Sequence, residues 1–266
     1  AALCAVALAA AAALPAAPAD AGDRRAVASI IGGQRADPAQ WPFAAAVFFK
    51  GKFHCSGSVI APTKVLTAAH CVDGFKPSRL AVIVGRLDHR HDPGGAVFGA
   101  VAATPHPDFH KRQIHDAGVI TLDAATTAPP VLLPTADEAA TYGYPGQLLR
   151  VAGWGARHPF GINLSTALRS ATEQIRTDRR CRRAYRRLYV VTTMICATGR
   201  RLQRFGRPPI HETACSGDSG APLVADTARG AVVIGTVSFG GAFCGFGATP
   251  TVYSRVSDSL EFIVTA

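Results

Sequence analysis

From Ile31 onward the chain carries its apolar residues in short runs, each ended by turn-forming residues. Such runs occupy residues 44–49, 58–60, 80–84, 131–133, 148–152 and 232–237. Twenty-six glycines and eighteen prolines, spread along the chain, supply the breaks between them. Short strands at this spacing predict an all-β sandwich or barrel pair rather than alternating βαβ units. With 48% hydrophobic and 17% charged residues, a chain of 266 can bury a real core and is not disordered. Two helices are expected, over residues 177–188 and 258–264. After residue 20 no run approaches the roughly 18 apolar residues that span a bilayer.

The first 19 residues differ from the rest. Residues 1–14 are nearly all Ala, Leu and Val, Pro15 is the first breaker, and Ala17-Pro18-Ala19 places small residues where a signal peptidase reads. A secretory signal peptide is the expectation for 1–19, and an extracellular location follows from it. Of seven cysteines, Cys4 lies in this segment, which leaves six for the exported chain. An even count in an exported protein reads as disulfides, although six cysteines alone permit fifteen pairings. Zinc is a poor alternative, because Cys181 and Cys196, the closest pair, have no further Cys or His nearby. Calcium fares no better, since the loop 85–95 offers only Asp88 and Asp92 as acids. No cofactor is implied.

The formal net charge of +10 is concentrated. Residues 176–207 hold eleven arginines against one acid, Asp178. A solvated Arg-rich helix and loop would explain this, and so would a patch for an anionic partner. The segment lacks the interleaved aromatics that stack on bases, so nucleic acid is disfavoured.

Three segments carry chemistry: Leu-Thr-Ala-Ala-His-Cys at 66–71, His-Asp-Ala-Gly-Val-Ile-Thr-Leu at 115–122, and Cys-Ser-Gly-Asp-Ser-Gly-Ala-Pro-Leu at 215–223. A serine hydroxyl needs an adjacent base to become a nucleophile at neutral pH. Imidazole suits that task, and a carboxylate on its other nitrogen fixes the tautomer and stabilises the imidazolium. Ser219, His70 and Asp116 fill these roles, with Asp108 and Asp123 as rivals for the third. Glycines around Ser219 let backbone N–H groups face a developing oxyanion.

Thr-Ala-Ala-His-Cys, the Asp-led apolar strand and Gly-Asp-Ser-Gly-x-Pro-Leu, in the order His, Asp, Ser, resemble the trypsin/chymotrypsin family of serine proteases. The resemblance runs from Ile30 to the last helix. It implies two packed six-stranded Greek-key β-barrels, at roughly 44–135 and 145–255, with the active site between them and a C-terminal helix at 258–264. It selects Asp116 over its rivals and implies an oxyanion hole from the N–H groups of Gly217 and Ser219. Ala221 departs from the family, which usually has glycine there. The implied disulfides are Cys55–Cys71, Cys181–Cys196 and Cys215–Cys244, which use every cysteine after the leader.

The resemblance also implies activation by cleavage. Ile30-Ile31-Gly32-Gly33 resembles the family's mature N-terminus, whose new α-ammonium would pair with Asp218, and residues 20–29 would be a short propeptide. Ser29 stands where many relatives have a basic residue, so an activating protease of another specificity is expected to cut Ser29–Ile30. Counting back from Cys215 places Thr213 at the floor of the primary pocket, where a trypsin would carry Asp. Ser238, Phe239 and Gly240 match the strand that binds the substrate backbone, and Thr251 narrows the pocket where glycine is common. An uncharged, constricted, elastase-like pocket for small or medium residues is expected. A register error of one residue would instead bring Glu212 into the pocket and favour basic substrates. The expected product is a secreted, monomeric endopeptidase acting on protein or peptide. A non-catalytic secreted binder using the Arg-rich patch is the alternative.

Overall fold

A computed structural model describes residues 30–109, 112–202 and 209–266. The proposed leader and propeptide lie outside the described residues, as does part of the Arg-rich connection. In chain order the strands are β1 (Gln34–Arg35), β2 (Ala44–Phe49), β3 (Lys52–Ala61), β4 (Lys64–Thr67), β5 (Leu80–Val84), β6 (Ala96–Pro105) and β7 (Gly118–Leu122). Then come β8 (Leu148–Gly153), β9 (Arg169–Ile175), β10 (Met194–Gly199), β11 (Arg201–Leu202), β12 (Ile210–His211), β13 (Pro222–Thr227), β14 (Gly230–Phe239) and β15 (Thr251–Arg255). Helices α1 (Ala136–Tyr142), α2 (Asp178–Tyr185) and α3 (Leu260–Thr265) are the α-helices among the described residues.

Each half closes into a six-stranded antiparallel barrel, as expected. The first follows the order β2-β3-β4-β7-β6-β5, and β5 returns to pair with β2. The second runs β9-β10-β15-β14-β13-β8 and closes through the β8–β9 pairing, with β1 added at the edge of β9. Closure removes the free edges that an open sheet would expose. The strands form where β-branched and aromatic residues fill the interior. Val47, Val65, Leu66, Val82 and Ile120 are buried in the first core. Leu149, Val151, Ile195, Leu223, Ile234 and Tyr253 are buried in the second.

Ile30 belongs to the second core and is fully buried there, while Ile31 makes a two-residue bridge to Thr213. Helix α2 is capped by the Thr177 hydroxyl and continues through one 3₁₀ turn to Leu188, matching the expected span. Helix α1 was not expected; it sits in the crossover between barrels. The three disulfides pair as the resemblance implied: Cys55–Cys71, Cys181–Cys196 and Cys215–Cys244.

Candidate active site

His70 sits in the 3₁₀ turn Ala69–Cys71 that follows β4, and Cys71 ties this turn to β3 through Cys55. Because the Cys55 and Cys71 sulfurs are bonded to each other, their nearness to His70 does not make a metal site. Asp116 lies two residues before β7, on a turn in which the Ala117 N–H donates to the His115 carbonyl at 2.8 Å. The two turns approach closely because Gly118 lacks a side chain. A Cβ there would stand 2.7 Å from Val72 Cγ2 and 2.9 Å from the Ala68 carbonyl oxygen.

Asp116 is fully buried, and three donors converge on its carboxylate. The His70 N–H donates to Oδ1 at 2.9 Å, His70 Nδ1 lies 2.8 Å from Oδ2, and the Ser238 hydroxyl donates to Oδ2 at 2.5 Å. With Nδ1–H committed to the carboxylate, Nε2 carries the lone pair that a general base needs. Asp108 and Asp123, the rivals for this role, are both exposed.

Ser219 lies in the loop between β12 and β13 and lines a cavity of about 190 Å³ together with Ser216, Ser238, Phe239, Gly240 and Thr251. Gly217 has φ +91°, in the left-handed region that favours glycine. Among the described residues the N–H groups of Gly217 and Ser219 have no protein acceptor, which leaves both free for an oxyanion. The loop is also stitched to the first barrel. The Ser56 N–H donates to the Ser219 carbonyl at 2.8 Å, and the Ser56 hydroxyl donates to the Gly217 carbonyl at 3.3 Å. Ser56 is itself held from β4, whose Thr67 hydroxyl donates to the Ser56 carbonyl at 2.8 Å.

Asp218 points the other way, into the second barrel. Its fully buried carboxylate accepts from the Gly155 and Cys215 N–H groups, each at 2.8 Å. Burial pushes its pKa up to about 7, against the pull of those two bonds.

The pocket differs in one layer from the expectation. Thr251 lines the cavity, but Thr213 is only 1% exposed and sits behind it, its hydroxyl 2.6 Å from that of Thr251. Gly240 leaves the wall open, since a Cβ there would meet nothing nearer than Thr251 Oγ1 at 4.0 Å. Glu212 faces a separate cavity with Arg35, Arg150 and Arg176, where it accepts from Arg200 Nε at 2.6 Å. The register that would put Glu212 in the Ser219 cavity is therefore wrong.

Sequence reasoning missed Glu173. This β9 residue is fully buried, accepts from the Ala214 N–H at 3.0 Å and from the Tyr253 hydroxyl at 2.9 Å, and lies behind the same cavity. The signal was present as alternation: Ala171, Glu173 and Ile175 share one face of β9, and Ile175 is core.

Comparison with known proteins agrees with the fold. The Trypsin family model matches residues 30–263. A protein named Trypsin from Saccharopolyspora erythraea is 33% identical over 85% of this chain and 93% of its own length. Serine protease 57 of Homo sapiens is 32% identical over 89% of this chain and 80% of its own. Glucanase inhibitor protein 3 of Phytophthora infestans is 33% identical over 80% of this chain and 78% of its own.

Proposed function

The chain belongs to the trypsin family, and from that premise we propose that it is a serine endopeptidase working through an acyl-enzyme. The observation that carries this reading is the His70 Nδ1–Asp116 pair at 2.8 Å, beside a cavity lined by Ser219 with the Gly217 and Ser219 N–H groups unspent. In the reaction, His70 Nε2 takes the Ser219 proton as Oγ attacks the substrate carbonyl carbon. The oxygen gains charge and is held by the two N–H groups. The imidazolium, stabilised by Asp116, gives its proton to the leaving amine, and water then repeats the sequence on the ester.

Thr251 shortens the pocket and Gly240 keeps its wall open, which supports cleavage after small or medium uncharged residues. Discrimination of this kind is modest, about 1–3 kcal/mol per methylene. The burial of Ile30 in the second core, and of Asp218 with no cation bonded to it among the described residues, supports activation by a cut at Ser29–Ile30. A new α-ammonium would supply the missing positive charge. The apolar 1–19 segment and the three disulfides support secretion. The exposed arginines of α2 support an anionic surface partner.

The likeness to a glucanase inhibitor favours a second reading, a non-catalytic binder. A fluorophosphonate probe separates the two. The activated chain should acquire one adduct on Ser219, located by peptide mass spectrometry and absent from His70→Ala. An unlabelled mature chain would leave only the binder.

A further inference from the structure

Behind the cavity lined by Ser219 stands a short polar chain that the proposed chemistry does not use. Thr251 and Ala214 line the cavity; the Thr251 hydroxyl contacts that of Thr213 at 2.6 Å, and Glu173 accepts from the Ala214 N–H at 3.0 Å, with Thr213 near enough to favour its charged form. None of Thr251, Thr213 and Glu173 is more than 3% exposed. We propose that Glu173 is a positioning residue for specificity: from directly behind the wall formed by Ala214 and the Thr213–Thr251 pair, its carboxylate makes the pocket floor negative and hydrogen-bond accepting, and favours short substrate side chains that end in a donor.

The argument rests on counting protons. An ionised carboxylate only accepts, and its field turns the proton of the neighbouring Thr213 hydroxyl toward itself, which leaves Thr213 to accept from Thr251. Thr251 has one proton, which goes to Thr213 or to the Ala214 carbonyl at 3.4 Å. Either way the Thr251 oxygen turns lone pairs toward the cavity. Both hydroxyl dipoles then point their negative ends at the substrate, and the carboxylate adds its own field through a dry wall.

The charged and titratable groups facing Glu173 do not cancel it. Tyr253 and Tyr185 are neutral, and burial holds both phenols above their usual range. Asp218 is a second acid, which the Ile30 ammonium would neutralise after cleavage. Among the described residues Arg176 is the cation that acts on Glu173, but it bonds to Gln174 and the Thr198 carbonyl and not to the carboxylate, so it offsets that charge only from a distance. Burial pushes the Glu173 pKa up to about 7, with the Tyr253 and Ala214 bonds pulling it back, so the floor would be charged in mildly alkaline solution.

This inference rests on the proposal that the cavity is the primary substrate pocket. The test uses the activated full chain and two tetrapeptide amides that differ only before the scissile bond. One carries norvaline; the other carries α,γ-diaminobutyrate, which replaces the terminal methyl with an ammonium. The ratio of kcat/KM, amine over norvaline, is read at about pH 8, where the amine is largely charged. Glu173→Gln should lower that ratio at least about fivefold. A smaller change overturns the role of Glu173. A purely structural loss would depress both substrates alike.

If Glu173→Gln does not fold, the unmodified enzyme still decides the matter. Its ratio should rise at least about fivefold between about pH 5.5 and 8, and a flatter profile overturns the proposal. A change in the shared catalytic steps moves both substrates together and leaves the ratio unchanged. Thr251→Ala separates the two levels. If it alters neither substrate, the pocket reading fails and takes this inference with it. If it alters them while Glu173→Gln leaves the ratio unmoved, only the Glu173 role falls.

Discussion

The Asp116 carboxylate accepts from both the backbone and the ring of His70 and from Ser238, with no exposure to solvent. Asp116→Asn keeps the shape but puts an amide N–H among those donors. Nδ1 would then be the lone-pair nitrogen and Nε2 the protonated one, which cannot accept from Ser219. The expected result is a fall in kcat of about three to four orders of magnitude with KM nearly unchanged, read with a peptide amide. Gly217→Ala tests the other half of the site. A Cβ there would lie 2.9 Å from Leu164 Cδ2 and 3.1 Å from Gly155 Cα, on a backbone at φ +91°. The loop would have to shift, and kcat should drop by about a hundredfold or more as one oxyanion donor moves away. His70, Asp116 and Ser219 were legible because each lies in a long motif whose neighbours also have work to do. Thr213 was legible only as a register, since counting from Cys215 cannot say which of two stacked threonines meets the substrate. Glu173, flanked by Thr172 and Gln174, reads as a polar surface residue until its alternation with Ala171 and Ile175 is weighed.

At the scale of elements, the strands and α2 followed from local pattern, whereas α1 did not stand out. Its start signal was nevertheless written in the chain. Thr135 and Glu138 form a capping box, each side chain satisfying the other's backbone N–H. A seven-residue helix with no buried side chain has no apolar stripe by which to be noticed. Helix α2 presents Arg179, Arg180, Arg182 and Arg183 to solvent, and Arg186 and Arg187 follow it. Its only buried residue is Cys181, which anchors it to β10 through Cys196. If this element is the anionic partner's site, the chain should bind an immobilised sulfated polysaccharide and elute with salt. The triple variant Arg179→Gln, Arg182→Gln, Arg183→Gln should elute at clearly lower salt while peptide hydrolysis is unchanged. Unaltered elution would return these arginines to the role of a solvated face.

For the whole molecule, two buried acids, Asp218 and Glu173, have no cation bonded to them among the described residues. Desolvation raises Asp218 from 3.8 to about 7, so the fold favours its protonated form. The stability this supplies is fully present below the unfolded pKa and is lost as pH rises through the folded one. An uncleaved Ser219→Ala chain should therefore lose stability between about pH 4 and 7 relative to the same variant cut at Ser29–Ile30. The difference, on the order of a few kcal/mol, is readable as a gap in melting temperature that widens with pH. A constant gap would mean that Asp218 gains nothing from the new terminus. Glu173 is present in both forms, and the cut reaches it only through its coulombic link to Asp218.

The contact of Ser56 with the Ser219 loop has a mechanical meaning as well. Its amide on β3 of one barrel ends on the Ser219 carbonyl of the other, so the loop is fastened on both sides of the cleft. The barrels cannot slide past one another without first tearing the Ser219 backbone from its place. Opening of the seam and loss of Ser219's alignment then become one event with one free energy. The slow hydrogen exchange of a single amide, that of Ser56, would report it.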